Sequence, residues 1–431
     1  MKILVINGSP KGQYSTTLYT SLYIQKKFPE HSFEIIHAAA KSAVLKKDIA
    51  PLVKKIKEAD LVLFSYPVYT FMVPSQLHVL IEALKESGED FTGKYMTQIT
   101  TSKHFYDVTA HAFMEENCRD MGMSVIKGLS SDMDDLLNEK GQQQAVKFFE
   151  YVLWNMGKRE KEDTAGRSFD IAVVADLAEG DEDLLEMINV FKDSVPYPVR
   201  VINLRDFRFK GGCLGCLNCA QDGKCIYKDG FDEFLRNNIQ NADAIVTAFT
   251  VKDHSMGSLF KTYDDRQFCN GHRTVTEGSP VAYLVNGDAE KESNLRTVMI
   301  ARADVGGNYL AGIADRRGDM EQNVRSMADV LVYSLEHSYS VPRMFYGVGG
   351  MKIFRDLIYQ MRGFMKADHK FFKEHGQYDF PHKKKGTTAA MYLVGALFSN
   401  KELKKKAGNK IQEGMVSGYK KILDQEDSRK A

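Results

Sequence analysis

Short apolar runs alternate with helix-length amphipathic stretches along the first third of the chain. "KILVI" (2–6) and "FEIIH" (33–37) read as strands buried on both faces, and "DLVLFSYPVY" (60–69), "KYMTQITTS" (94–102) and "MSVIKGLS" (123–130) continue the series. Between them, "TTLYTSLYIQKKF" (16–28) and "VPSQLHVLIEALKES" (73–87) have helical spacing. Strands separated by helices imply βαβ units and a parallel sheet covered on both faces. The polar stretch "GKREKEDTAGR" (157–167) has no periodicity and reads as a linker. The pattern then restarts with "FDIAVVADL" (169–177), "PVRVINL" (198–204), "DAIVTAFTV" (243–251), "PVAYLVNG" (280–287) and "GNYLAGIA" (307–314). The order of elements predicts a duplicated α/β unit, doubly wound around a parallel five-stranded sheet. One large mixed sheet is the alternative. From about residue 341 the spacing turns helical. The expected organisation is a first domain over 1–157, a second over 168–340 and a helical C-terminal extension over 341–431.

Composition narrows the class. Apolar residues make up 43% and charged residues 27% of 431 residues, the balance of a globular protein with real cores. The net charge of +1 gives no overall pull toward nucleic acid. The start "MKILVINGSP" is too short in apolar residues for a signal peptide, and no apolar run reaches the ~20 residues needed to span a bilayer. A cytoplasmic setting with reduced thiols is therefore expected. The last stretch is the exception in charge. Residues 381–431 carry 12 Lys/Arg against 5 Asp/Glu, flanking the apolar "AAMYLVGALF" (389–398). This tail is expected to pack on its own domain with a solvated basic face; contact with an anionic surface is the alternative.

Chemistry gathers at the ends of the first-half strands. "VINGSPKGQYSTTL" follows the first strand and opens the first helix, placing hydroxyls and free N–H groups where a helix N-terminus attracts phosphate. It lacks the spacing of a P-loop or a dinucleotide fingerprint. A capped helix after an ordinary turn is the competing reading. "SYPVYTFMVPSQL" adds a stiff aromatic loop at the same carboxyl edge, suited to a flat ring, and "TTSKHFYD" (100–107) adds hydroxyls, His104 and Phe105. Four of the six cysteines fall in "GGCLGCLNCAQDGKC" as C-x2-C-x2-C-x5-C. Three thiolates at i, i+3 and i+6 on a glycine-bearing loop, closed by a fourth, suit one [4Fe–4S] cluster at Cys213, Cys216, Cys219 and Cys225; structural zinc is the alternative. Cys118 and Cys269 are expected as buried thiols, with Cys269 lining the site as the alternative. His369, His375 and His382 are too widely spaced to read as a metal site.

"GSPKGQYSTT" with "YPVYTFMVPSQL" resembles the NADPH-dependent FMN reductase and flavodoxin-like superfamily, and the cysteine run resembles its iron–sulfur flavoprotein branch. The resemblance spans roughly residues 1–330. It implies two tandem flavodoxin-like folds. It also implies FMN with its phosphate on Ser9, Lys11, Ser15, Thr16 and Thr17, and its ring near Pro67, Val68, Tyr69, Phe71 and Met72. The loop holding Thr100, Thr101, Ser102, His104 and Phe105 would close over the ring edge. The expected activity is electron transfer between a [4Fe–4S] cluster and FMN, with NAD(P)H or ferredoxin as donor and a small quinone-like or nitro acceptor. A carrier shuttling electrons between protein partners is the alternative. His104 is the one side chain offered for acid–base work. A homo-oligomer, a dimer, is the expected assembly, with no transmembrane segment.

The resemblance breaks in an informative way. The first half has the flavin loop but no cysteines at the matching place. The second half has the cysteines, but its first turn, "VVADLAEGDEDLLEM" (173–187), is crowded with acids that would repel phosphate. It keeps a K-x4-R pair, Lys261 and Arg266, without the prolines of the aromatic loop. A division of labour follows as an expectation: flavin in the first half, cluster in the second, the halves packed as an internal pair.

Overall fold

A computed structural model describes residues 1–157, 166–383, 385–399 and 410–430. Most of the linker expected at 157–167 and the basic run Lys404–Lys406 lie outside these residues. The chain divides into two compact units, one of residues 1–162 with 380–431 and the other of residues 163–379.

In the first unit the strands are β1 (Lys2–Asn7), β2 (Ser32–Ile36), β3 (Leu61–Pro67), β4 (Tyr95–Ser102), β5 (Ser124–Val125) and β6 (Leu129–Asp132). All pairs are parallel, in the order β2-β1-β3-β4-β5, with β6 also beside β4. This is the flavodoxin-like order. Ile3, Leu4, Val5 and Ile6 are at most 2% exposed, which is why the sequence shows an unbroken apolar run instead of alternation. Each such side chain contributes about 1.5–3 kcal/mol by leaving water. The strand expected over 123–130 is split in two. At Gly128 the backbone crosses so close to the Gln98 side chain and carbonyl that a Cβ would collide with both. Gln98 is held there by the Tyr66 hydroxyl, which donates to its Oε1 at 2.5 Å.

The second unit repeats the plan. Its strands are β7 (Ile171–Ala175), β8 (Val199–Asn203), β9 (Ala244–Thr250), β10 (Pro280–Asn286) and β11 (Tyr309–Asp315), all parallel in the order β11-β10-β9-β7-β8. Counted within the unit, this is again 2-1-3-4-5. Separate apolar cores fill its two faces.

The helices of 341–431 divide between the units. Phe345–Gln360 and Lys366–Glu374 belong to the second, where Met365, Ile358 and Phe372 bury Ala220 of the short helix Asn218–Asp222. Lys410–Lys430 belongs to the first and packs on the helix Thr16–Lys27. There Tyr419 meets Tyr19 with ring centroids 5.9 Å apart and donates to the Met133 carbonyl at 2.6 Å. The helix Lys385–Ser399 departs from the expectation of a self-packed tail: every residue from 385 to 396 is exposed. No described helix is long and apolar enough to cross a membrane.

Candidate functional site

In the first unit, β1 ends at Asn7 and the chain must turn before the helix at Thr16. Asn7 fixes that turn. Its Oδ1 accepts from the Ser9 N–H at 3.0 Å and its Nδ2 donates to the Gly12 carbonyl at 2.8 Å. Gly8 is required by close approach: a Cβ would lie 2.6 Å from Leu77 Cδ2 and 3.1 Å from Tyr66 Cβ. Ser15 sits at the N-cap with no side-chain capping bond, and the first turn holds no acid. No acid of its own first turn offsets the positive end of this helix. Of the residues expected around phosphate, Ser9 is buried with its Oγ accepting from the Lys11 N–H at 3.3 Å, and Thr16 and Thr17 both reach Thr101, at 3.3 and 2.6 Å between hydroxyls. The loop after β1 is therefore tied to the end of β4.

Two further loops meet at the same edge. After β3 the chain makes a tight turn in which the Tyr69 N–H donates to the Met72 carbonyl at 2.8 Å and the Met72 N–H returns the bond at 3.1 Å. Thr70 and Phe71, inside it, have φ of 45° and 71°. His104 and Tyr106, in the next loop, have φ of 60° and 57°. Left-handed backbone at four non-glycine positions stores strain, and such strain concentrates at ligand sites. The two loops interlock. Phe71 packs on Phe105 and Tyr106 at 5.1 and 4.6 Å between centroids, and Thr109 Oγ1 donates to the Phe71 carbonyl. Tyr69, Phe71 and Phe105 stay exposed, whereas Val68 and Met72 pack inward on the core. Pro67 ends β3. Thr100 faces the interior, hydrogen-bonded to His111 Nε2 at 2.9 Å, and Ser102 Oγ accepts from the His104 N–H at 2.8 Å.

His104 is buried, with its Nδ1 2.9 Å from Asp107 Oδ2, and Asp107 also accepts from Ser130 Oγ at 2.6 Å. This network anchors the loop from inside. Asn7, Asp107, Thr109 and Ser130 were not singled out from the sequence; an Asn closing a strand before a glycine turn is the one local signal among them.

The second unit fills the equivalent position with its own charges. Asp176, 3% exposed, follows β7 and is paired with Arg205 at 2.8 Å and Lys252 at 3.3 Å. Asp181 caps the helix Glu182–Ser194, accepting from the Leu184 N–H at 3.4 Å, and also accepts from Thr250 Oγ1 at 2.7 Å. Carboxylates thus stand where the first unit leaves an open helix end. The turn after β9 nevertheless keeps the geometry of the turn after β3. Lys252 and Ser255 exchange N–H···O bonds of 2.8 and 2.7 Å around Asp253 and His254, whose φ are 51° and 56°. The backbone device persists while its aromatic side chains are replaced.

The four clustered cysteines line one small cavity, joined by Arg266, Tyr227 and the buried Cys269. Arg266, 1% exposed, holds the loop. It donates bidentately to Asp229 at 2.8 and 2.8 Å and to the Gly211 carbonyl at 3.0 Å, and lies under the Tyr227 ring at 4.4 Å. The guanidinium depresses the Asp229 carboxyl to about 2. It also lies within electrostatic reach of Cys225. The Gly215 N–H points at Cys213 Sγ, 3.5 Å away, and the Gly271 N–H at Cys219. Burial pushes the Cys118 and Cys269 thiols up to about 12, as expected of inert buried thiols. On the far side, buried Asp368 accepts from the His272 N–H at 3.2 Å and meets His272 Nδ1 at 2.9 Å, bracing the segment beside the cysteines.

Among the described residues, no three His, Cys, Asp or Glu are close enough to hold a single metal ion. One zinc would draw its sulfurs to within roughly 3.8 Å of one another, given Zn–S bonds near 2.3 Å. Four thiols around one cavity, with the Gly215 and Gly271 N–H groups directed at two of them, are a donor set that a thiolate-ligated iron–sulfur cluster accepts.

Residues 1–131 match the family NADPH-dependent FMN reductase. An iron-sulfur flavoprotein of Archaeoglobus fulgidus is 27% identical over 173 residues, 38% of this chain and 78% of that one. An iron-sulfur flavoprotein of Clostridioides difficile is 22% identical over 138 residues, 30% of this chain and 61% of the relative, so less than two thirds of its length is spanned. The structure of the Trp repressor binding protein from Bacillus subtilis aligns over 34% of this chain and 97% of that one, at 17% identity and a TM-score of 0.27. The family match supports a flavin-dependent oxidoreductase. Residues 1–131 are thus similar to the NADPH-dependent FMN reductase family, and parts of the chain are similar to two iron-sulfur flavoproteins.

Proposed function

We propose that the protein passes electrons between a [4Fe–4S] cluster held by Cys213, Cys216, Cys219 and Cys225 and an FMN bound at the loops of the first unit. NAD(P)H or ferredoxin is the donor, and a small quinone-like or nitro compound the acceptor. When bound, FMN exchanges electrons in pairs or singly and the cluster one at a time, so together they join two-electron to one-electron carriers. The protein supplies the rest. Ser9, Lys11, Ser15, Thr16 and Thr17 offer donors to the phosphate, the uncapped helix end adds its dipole, and Tyr69, Phe71 and Phe105 offer flat apolar surface to the ring. His104, bound to Asp107, sets the position of the ring-edge loop.

The observation that carries this proposal is the convergence of four thiols on one cavity beside a buried arginine. The test is an EPR spectrum of anaerobically purified, dithionite-reduced protein. A fast-relaxing signal absent from the Cys216→Ser variant is expected; a silent sample with stoichiometric zinc would leave a simple flavin reductase. Steady-state oxidation of NADH or NADPH with a quinone separates enzyme from carrier. Turnover supports the enzyme, and reduction by ferredoxin alone supports the carrier.

A further inference from the structure

A second cavity lies on one face of the second unit's sheet, under the helices Gly257–Arg266 and Ser293–Gly306. It shares no lining residue with the cysteine cavity. β10 contributes Tyr283 and the helix Gly257–Arg266 contributes Tyr263, each 4% exposed. A buried tyrosine normally hydrogen-bonds its hydroxyl. Neither of these hydroxyls makes a hydrogen bond to any described residue, and both reach the open space of the cavity. Burial pushes both phenols up, Tyr283 to about 12, so both keep their protons. A buried donor left unmet is costly. Arg302, ion-paired with Asp264, stands beside the two phenols. The pair leaves the cavity without net charge: an anion would meet Asp264 and a cation Arg302. Ile245, Phe260 and Val281 supply an apolar wall, which offers water none of the polar partners it needs. Ile239 and Gln240 reach the cavity from the π-helical turn Leu235–Gln240, a rare geometry that gathers at functional sites. An apolar cavity of about 150 Å3 holds benzene, so this one, of about 80 Å3, holds roughly three or four non-hydrogen atoms.

We propose that this cavity binds a small neutral carbonyl compound, its oxygen accepting from Tyr263 and Tyr283 and its carbon body against Ile245, Phe260 and Val281. A carbonyl oxygen has two lone pairs for two phenol donors and brings no proton that would itself need an acceptor. The site is independent of the electron-transfer reading and requires neither cluster nor flavin.

The test is an NMR spectrum of the full chain, isotope-labelled at tyrosine Cζ and titrated with acetone and, separately, with acetate, which has the same size and a negative charge. The Tyr263 and Tyr283 signals, assigned from the Tyr263→Phe and Tyr283→Phe variants, should move together and saturate with acetone and stay still with acetate. Each variant should bind acetone about fivefold more weakly, the equivalent of one neutral hydrogen bond. Circular dichroism should not change, because the ring that packs is kept. Signals that never saturate leave the cavity to water and overturn the proposal. Equal acetone affinity in the parent and both variants overturns it too, and so does tighter binding of acetate than of acetone.

Discussion

Arg266 and Asp229 form a buried pair on which the cysteine segment is built, and their burial sets what their loss would do. Both side chains are at most 3% exposed. Removing one charge leaves the other buried and unpaired, at a cost of about 3–5 kcal/mol. Asp229→Asn should therefore lower the urea midpoint of the second unit by that equivalent and reduce bound iron, while flavin content stays constant. The pair also carries a pH signature. The Asp229 carboxyl is depressed from 3.8 to about 2, so its contribution is complete above pH 4 and is lost as pH falls through 2. The stability gap between the parent and Asp229→Asn should narrow by about 1 kcal/mol between pH 7 and pH 3. A gap that stayed constant would mean that Asp229 does not hold its charge against Arg266. Arg266 was visible in the sequence as half of a K-x4-R pair, but its partner lies 37 positions away, beyond any local pattern. Lys261 has a different role, pairing with Asp265 one turn on.

At the scale of elements, the strands were legible because burial on both faces writes an apolar run that nothing else in a polar chain imitates. What the runs could not show was the interruption at Gly128, which comes from a Gln98 side chain on the neighbouring strand. Helical spacing in 345–374 was equally plain, yet an apolar stripe does not name its partner, and the assignment of these helices to the cysteine unit came only from packing. The two helix N-termini after β1 and β7 make the sharpest comparison. One is uncapped and free of acids, the other is capped by Asp181. Ser15→Asp would copy the second onto the first. The new carboxylate should stabilise the helix by about 0.3–1 kcal/mol through the dipole. It should also repel a phosphate at ~4 Å by about 4 kcal/mol at an effective dielectric constant of ~20. The variant is expected to melt no lower than the parent and to bind FMN about a thousandfold more weakly, by fluorescence titration. Unchanged affinity would remove phosphate from this helix end.

At the scale of the molecule, one fold occurs twice with complementary losses. The first unit keeps strained aromatic loops and an open helix end. The second keeps the loop's backbone, with Asp253 and His254 in the same left-handed turn as Thr70 and Phe71, but closes the anion position with Asp176 and Asp181. The acids were readable in the sequence as a crowd of charges; that two of them satisfy the helix end and the basic side chains internally needed three dimensions. The proposed division of labour is tested most directly by counting flavin, iron, sulfide and zinc on one anaerobic sample. One FMN with four irons and four sulfides per chain is the predicted result. Two flavins per chain, or zinc in place of iron, would contradict it.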